Sequence, residues 1–208
     1  MKKLALTCLL LMMVGLAHAQ TASKHPATQI DAAIVEGYIK GTWKKVPEGW
    51  QARVEQDDTQ RLCSLHRNSP PLDAFNKILA REKATVVFPA DGSLLGDWKQ
   101  GEKVAQDGRG GQFSDVANTV NGGNCYACHQ MAMSELSYGT LGPSLAEYGK
   151  IRKFSADEAR QVYAKIFNPQ SVLPCSNMPR FGYHKFLSEQ QIKDVTAYLM
   201  SPESPVNK

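Results

Sequence analysis

The stretch that decides the fold is Cys125-Tyr126-Ala127-Cys128-His129, a C-x-x-C-H motif in a chain of 208 residues. In such a motif the two thiols add to the vinyl groups of a haem and form thioethers. The two intervening residues set the separation of the sulfurs, and the adjacent histidine points its imidazole at the iron. The motif therefore predicts one covalent haem c on Cys125 and Cys128, with His129 as an axial iron ligand.

Two other kinds of site also use a C-x-x-C pair. A dithiol–disulfide redox centre does not require His129, and no βαβ pattern precedes the motif. A structural zinc site needs a second Cys/His pair with matched spacing, and the sequence has none. Haem attachment is therefore the interpretation that accounts for both cysteines and the histidine.

The N-terminus has the pattern of a secretory signal peptide. Residues 2–3 are lysines, residues 4–16 are mostly apolar, and Ala17-His18-Ala19 is an A-x-A cleavage site. The apolar run is too short for a membrane span. Cys8 lies inside this run and not after it, so we do not interpret it as a lipidation site. We predict cleavage after Ala19 and a periplasmic mature protein with no membrane span.

The charge balance gives no indication of a nucleic-acid partner. The formal net charge is +4 at pH 7, and two of the lysines leave with the signal peptide. The two propionates of a haem would bring the remainder near zero. We interpret the following lysines as solvated surface and not as a docking patch for a redox partner: Lys44, Lys45, Lys150 and Lys153.

Cys63 and Cys175 remain once Cys8 and the motif cysteines are set aside. They form an even pair in an oxidising compartment, so we predict a disulfide between them. It would tie the N-terminal part of the chain to the loop that contains Met178. Closing a loop of roughly 110 residues should stabilise the fold by about 4 kcal/mol in the chain-entropy model. A bridge to a partner subunit and a free thiol near the haem stay open as alternatives.

Apolar periodicity and capping residues predict a mainly α protein. The predicted helices are Asp31 to Ile39, Leu72 to Ala84, Leu94 to Gln106, Ser155 to Phe167 and Ser188 to Met200. Ser155 and Glu158 have the spacing of a capping box. The segment from Thr85 to Phe88 is β-branched and apolar, which predicts a short strand or an extended packing segment.

The second axial ligand has to come from a distant part of the chain. The candidates outside the signal peptide are Met131, Met133, Met178, Met200, His25, His66 and His184. The two methionines that closely follow His129 cannot reach the opposite face of the haem. Met178 lies in a loop and is followed by proline, so we predict it as the sixth ligand, with His184 as the second candidate. A methionine ligand raises the haem potential and suits electron transfer.

A ligating histidine usually donates its other ring N–H to a fixed acceptor. The segment Leu141-Gly142-Pro143-Ser144-Leu145 contains a proline that stiffens the loop. We therefore predict that a carbonyl at or just before Pro143 orients the His129 ring.

These motifs resemble the class I cytochromes c. The resemblance covers about residues 94–202 and includes the haem motif, the Gly-Pro loop, the Met178-Pro179 loop and the last amphipathic helix. It implies two terminal helices that cross, with Gly101 allowing Tyr198 to approach. The domain organisation that follows is a signal peptide in 1–19, an N-terminal extension packing on the haem domain in 20–93, and a cytochrome c domain in 94–208.

Longer stretches are similar to SoxX, the smaller cytochrome subunit of the SoxAX complex of bacterial thiosulfate oxidation. The matching stretches are residues 122–129, 139–145, 177–182 and 197–206. The similarity implies a heterodimer with a SoxA-like subunit, which carries the cysteine-ligated haem where thiosulfate is joined to a carrier-protein cysteine. The haem of this chain would pass the electrons to a downstream acceptor, and no side chain here is predicted to be catalytic. A free-standing electron carrier that docks on an oxidase is the alternative. A haem sensor or peroxidase would need an open sixth position.

Overall fold

The computed structural model describes residues 30–46, 48, 50–112, 114–116 and 118–208, and within them it contains helices and loops but no β-strand. The α-helices are α1 Ala32–Thr42, α2 Gln51–Val54, α3 Asp58–Leu65, α4 Leu72–Lys83, α5 Trp98–Gln106, α6 Tyr148–Ile151, α7 Ala156–Phe167 and α8 Glu189–Met200. Short 3₁₀ turns are Cys125–Ala127, Pro169–Ser171 and Pro205–Asn207. The predicted signal peptide, with Cys8, and His25 lie outside the described residues.

The predicted helices are present, with differences at some of their ends, and α1 runs to Thr42, three residues further than predicted. α5 begins at Trp98, four residues later than predicted, because the Asp97 carboxylate accepts from the Lys99 N–H at 2.8 Å and caps the helix there. The residues before it pair with α8 instead, through the Gly96 N–H and the Lys193 carbonyl at 3.0 Å. The β-branched segment at 85–88 forms no strand.

The capping box predicted for α7 is only half formed. The Ser155 hydroxyl accepts from the Glu158 N–H at 3.3 Å. The Ser155 N–H donates to the Arg152 carbonyl, and the Glu158 carboxylate pairs with the Arg152 guanidinium at 3.2 Å. These two contacts with Arg152 therefore replace the predicted bond from the Ser155 N–H to the Glu158 carboxylate. α3 was not predicted, although Asp57 and Gln60 form a full capping box at its start.

The centre of the haem domain is the crossing of α5 and α8. A Cβ at Gly101 would overlap the Asp194 carbonyl and crowd the Tyr198 side chain, so only glycine lets the two helices approach this closely. α7 packs against α8, and together the three helices enclose a core that includes Ala105, Val162 and Tyr198. This crossing is the arrangement that the class I resemblance implied.

The N-terminal part of the chain is bonded to the haem domain. Cys63 of α3 and Cys175 form the predicted disulfide within this chain, which rules out the bridge to another subunit and the free thiol as alternatives. Ile78 of α4 is fully buried beside the disulfide. α4 also packs against the 3₁₀ turn Pro169–Ser171.

The C-terminal tail is part of the core and not a loose end. Val206 is fully buried, and its carbonyl accepts from the Glu147 N–H at 2.7 Å. The Asn207 amide accepts from the Gly149 N–H at 2.9 Å and donates to the Leu199 carbonyl at 3.1 Å. The tail therefore closes the end of α8 against α6.

Candidate haem site

The C-x-x-C-H motif forms a tight turn at the C-terminal end of α5. The cysteines lie on a 3₁₀ turn, Cys125–Ala127, which begins after Asn124 in the left-handed region. The Gly123 N–H donates to the Val104 carbonyl at 2.7 Å. A Cβ at Gly122 would overlap the Asp107 backbone, so glycine is needed for the motif to approach α5.

The two motif thiols are free, whereas the other two described cysteines are joined. Burial raises the pKa of the Cys125 thiol to about 12. A dithiol redox centre needs a thiol whose pKa is lowered so that it can act as a thiolate. The environment of Cys125 therefore disfavours that function. Among the described residues, no group of three or more His, Cys, Asp or Glu side chains could hold a metal ion.

His129 has one ring nitrogen already engaged. Its Nδ1 lies 2.7 Å from the Pro143 carbonyl oxygen. A carbonyl can only accept, so Nδ1 carries the proton and Nε2 is left as the nitrogen able to bind iron. Gly142 lies directly against the ring, because a Cβ there would overlap the imidazole. The structure thus brings together the histidine and the proline that the sequence indicated.

The segment containing Pro143 runs alongside the haem motif. The N–H groups of Gly139, Gly142 and Leu145 donate in turn to the carbonyls of Tyr126, Cys128 and Gln130, each at 2.8 Å. These regularly spaced bonds hold the loop and the motif as one unit. The orientation of the imidazole therefore depends on backbone contacts as well as on its own hydrogen bond.

A buried tyrosine pair joins the motif to α8, and sequence analysis did not find it. The hydroxyls of Tyr126 and Tyr198 lie 2.8 Å apart, and the Ala132 N–H donates to the Tyr126 hydroxyl at 3.1 Å. Burial raises the pKa of Tyr198 well above its ordinary value. Tyr126 is one of the two variable positions of C-x-x-C-H, so the motif itself carries no indication of this contact.

Met178 lies in a loop of residues 172–182, the Met178 loop. Its side chain is half-buried against the core formed by α5, α7 and α8. Its N–H donates to the Ser176 hydroxyl at 3.2 Å. Gln170 braces the loop from within, accepting from the Cys175 N–H at 2.5 Å and donating to the Ser176 carbonyl at 3.0 Å.

The other candidate ligands have different surroundings. Met131 and Met200 are buried in the helical core, and Met133 is exposed. His66 is the C-cap residue of α3. His184 is exposed, and its ring meets that of Tyr183 edge-on at 5.0 Å. Met131 is also on a loop, but it lies two residues from His129 and cannot reach the opposite face of a haem. Of the candidates distant from His129, Met178 is the one on a loop with its side chain against the haem-domain core.

A buried ion network lies beside the Met178 loop, and sequence analysis missed it. Arg180 donates to Glu82 at 2.7 Å and also pairs with Asp57. The side chains of Arg180 and Glu82 are only 5% and 3% exposed. Glu82 also accepts from the Thr59 hydroxyl and from the Asn168 amide, the latter at 2.8 Å. No local sequence pattern indicates it, since its members are far apart in the chain.

The ion network lowers the pKa of both carboxylates. Burial alone would raise the pKa of Glu82, but hydrogen bonds from Thr59, Asn168 and Arg180 outweigh it and bring the pKa below its ordinary value. Burial would also raise the pKa of Asp57, but hydrogen bonds from the Gln60 backbone and Arg180 outweigh it and lower the pKa. Both groups are therefore charged at neutral pH and satisfied by partners.

The residues present fit a haem c. Two free thiols lie at the spacing for thioether bonds, and an imidazole is fixed through Nδ1 with Nε2 available. A haem held in this way supplies one-electron transfer. The nitrogen and sulfur donors of His129 and Met178 are an axial pair typical of electron-transfer cytochromes.

Comparison with known proteins identifies the domain in which this site lies. Residues 100–202 match the family profile described as Cytochrome c. These residues form a domain of the cytochrome c family. The mainly α class I fold and the covalent haem c predicted from the sequence are thereby confirmed, and the cytochrome c is an electron-transfer protein.

The cytochrome c is also similar to an "uncharacterized lipoprotein" of Aquifex aeolicus (strain VF5). The two are 34% identical over 204 residues, which is 96% of each chain. The similarity therefore includes the N-terminal part as well as the haem domain. In the part of the cytochrome c that the structure describes, no helix is long and apolar enough to cross a membrane.

Proposed function

We propose that this cytochrome c is the periplasmic electron-transfer subunit of a SoxAX-type complex, which oxidatively couples thiosulfate to a carrier-protein cysteine. The proposal starts from the four stretches similar to SoxX. Residues 139–145 carry the carbonyl that binds His129, and residues 177–182 carry Met178 and Arg180. Residues 197–206 form the end of α8 and the buried tail. The similar stretches are thus the ones that build the site.

The observation that carries the proposal is the charge pattern around the haem motif. No lysine or arginine occurs between Arg109 and Lys150. Carriers that dock on an acidic partner by electrostatic steering need basic charge near the haem edge. The four lysines considered as a possible docking patch are exposed, but none lies in this stretch. The pattern favours a permanent subunit over a carrier that docks transiently.

Exposed apolar side chains in the same stretch point the same way. Met133 is 59% exposed, and Leu136 and Leu141 are each 90% exposed. A bound haem can cover only those apolar side chains that face it. The lack of basic residues in the stretch does not depend on the haem. Apolar groups rimmed by polar residues are typical of a protein–protein interface.

In this proposal each site residue has a defined role. Cys125 and Cys128 hold the haem, His129 and Met178 bind its iron, and Pro143 orients the His129 ring. A closed iron suits electron relay and leaves no position for substrate. Catalysis is placed on the SoxA-like partner, and this chain passes the electrons to a downstream acceptor.

The proposed location is the periplasm, with the signal peptide cleaved after Ala19. The name of the Aquifex aeolicus relative describes a lipoprotein, which supports export. Intact mass of the mature protein separates the two modes of export. A chain beginning at Gln20 supports cleavage after Ala19, while a lipid mass on Cys8 would contradict it.

Co-purification from the native host tests the proposed function. A second cytochrome subunit should remain bound at high ionic strength, and the complex should couple thiosulfate to a carrier cysteine. Leu136→Asp, in the exposed apolar stretch, should weaken the complex. Leu72→Asp, at an exposed position at the start of α4, serves as its matched control. A monomer that binds no second subunit would favour the free-standing carrier, the second candidate.

A further inference from the structure

We propose that residues 57–82, the N-terminal clamp, position Met178 and control how readily the sixth position of the iron opens. This rests on the proposed assignment of Met178 as the axial ligand. The clamp contains α3 and α4, and it contacts the Met178 loop on both sides of the methionine. Three residues between 175 and 180 are bonded to it.

The first contact is covalent. Cys175, three residues before Met178, is joined to Cys63 of α3, 112 residues away in sequence. Cys175 itself has a left-handed backbone with φ 62°. The chain therefore turns sharply where the disulfide anchors it, and the methionine follows directly.

The second contact is the ion network on the other side. Arg180, two residues after Met178, joins Asp57 and Glu82, which lie at opposite ends of the clamp. The guanidinium also stacks over the Tyr183 ring at 4.1 Å. A planar guanidinium can hold two carboxylates in a fixed geometry, which an ammonium group cannot.

A third and weaker contact lies between the two. The Asn68 amide donates to the Asn177 side chain at 3.3 Å, at the surface. By contrast, the hydrogen bond of Met178 itself is local, from its N–H to the Ser176 hydroxyl. The position of the methionine is thus defined mainly by what holds its neighbours.

The consequence is a coupling between the clamp and the iron. An exposed loop with few contacts opens locally far more often than the core unfolds. Tying this loop on both sides to a buried network lowers the population of its open state. Carbon monoxide can bind ferrous iron only where the methionine has left, so its binding measures that population.

The test compares variants of the full-length holoprotein. The double variant Cys63→Ser/Cys175→Ser removes the covalent contact, and Arg180→Lys keeps the charge but loses the planar fork. We expect carbon monoxide to bind the ferrous double variant roughly tenfold or more faster, because the open fraction rises by that factor. Arg180→Lys should give a smaller rise. The ferric Met–iron charge-transfer absorption should weaken in the same order.

Lys193→Met is the matched control. Lys193 pairs with Asp91 at 3.3 Å, so it also joins the N-terminal part to the haem domain, but away from the Met178 loop. It should leave both readouts unchanged. If the double variant is folded and binds carbon monoxide like the wild type, the inference is overturned. A rise in Lys193→Met equal to that in Arg180→Lys would also overturn it, because general destabilisation would then be the cause.

Reduction of the wild-type protein provides a second route if the double variant does not fold. A thiol reductant opens the Cys63–Cys175 bridge but leaves the haem thioethers intact, so one sample is measured before and after. Faster carbon monoxide binding after reduction supports the inference, and an unchanged rate opposes it. Met178→Ala separates the ligand assignment from the effect of the clamp. If Met178→Ala keeps the charge-transfer absorption, the ligand assignment fails. If Met178→Ala loses this absorption while the clamp variants keep it in full, the ligand assignment stands and only the clamp inference is ruled out.

Discussion

Two parts of the site differ in how far apart in sequence their contacting residues lie. One is the haem-motif region, residues 121–145, and the other is the Met178 loop with its N-terminal clamp. His129 and Pro143 are 14 residues apart. Arg180 and Glu82 are 98 residues apart, and Cys63 and Cys175 are 112 apart. The contacts that orient His129 are thus made by neighbours in the chain, whereas those that hold the Met178 loop join segments that only the completed fold brings together.

This difference has an energetic side. Bringing distant segments together costs chain entropy that grows with loop length. A disulfide removes much of that cost from the unfolded chain, and the Met178 loop has one where the haem-motif region has none in the described chain. We therefore expect the two regions to respond differently to substitution, and the following predictions measure that difference.

The largest effect should come from the disulfide. Cys63→Ser/Cys175→Ser should lower the free energy of unfolding by about 4–5 kcal/mol, because it frees a long loop in the unfolded chain. Denaturant unfolding of the holoprotein measures this. The reduced wild type should match the double variant. A loss below about 1 kcal/mol would show that the Met178 loop and its clamp do not depend on the disulfide for stability.

The next largest effect should come from Glu82→Ala. It leaves Arg180 buried with one of its two carboxylates gone, which should lower the free energy of unfolding by about 3 kcal/mol. Asp91→Asn breaks a more exposed pair with Lys193 and should lower the free energy of unfolding much less. Thermal or denaturant unfolding compares the two. Equal losses would mean that burial does not distinguish the network.

Gly142→Ala tests the haem-motif region. The new Cβ would overlap the His129 imidazole, so either the ring or the loop has to move, at a cost of about 1–3 kcal/mol. The visible absorption spectrum should change with the ring orientation. Gly41→Ala is the control, since that position in α1 has open space and should stabilise by about 0.5–1 kcal/mol. An unchanged spectrum in Gly142→Ala would show that the loop does not orient the ring.

The smallest effect should be an acid-side loss of stability. Glu82 and Asp57 have pKa values below their ordinary range in the folded protein. Their stabilisation is complete above the ordinary value of about 4 and is lost as the pH falls through the lowered folded value. Unfolding free energies measured from pH 7 downward should show this slope. Glu82→Gln should flatten it, and an identical slope in that variant would assign it to other carboxylates.

The haem-motif region could be predicted because its determinants are contiguous. The C-x-x-C-H motif specifies both thiols and the imidazole, and the nearby proline indicated which carbonyl lies beside the ring. Cysteine counting was enough for the disulfide, because a chain with four cysteines outside the signal peptide and two in the motif leaves one pair. α3 was missed, although its Asp57–Gln60 capping box is visible in the sequence.

The Met178 loop and its clamp could be predicted only in part. Met178 was predicted from its loop, its following proline and its distance from His129, but nothing near it indicates that Arg180 pairs with Glu82 or that Glu82 bonds to Asn168. The start of α5 was placed too early because Leu94 continues the apolar face of the helix, although Gly96 and Asp97 disfavour a helix interior and Asp97 is the N-cap. Residues 96 and 97 instead bond to α8, which is a tertiary contact.

By itself, the sequence determined the haem motif, five of the helices and the pairing of Cys63 with Cys175, while the resemblance to class I cytochromes c implied the crossing at Gly101. The motif and the helices depend on residue type and short-range spacing, and the disulfide depends on the cysteine count, so they need no knowledge of the fold. Only the tertiary structure decided the Tyr126–Tyr198 contact and the ion network around Arg180. Their side chains are polar and buried, and a buried polar group is stable only where the completed fold supplies its partner.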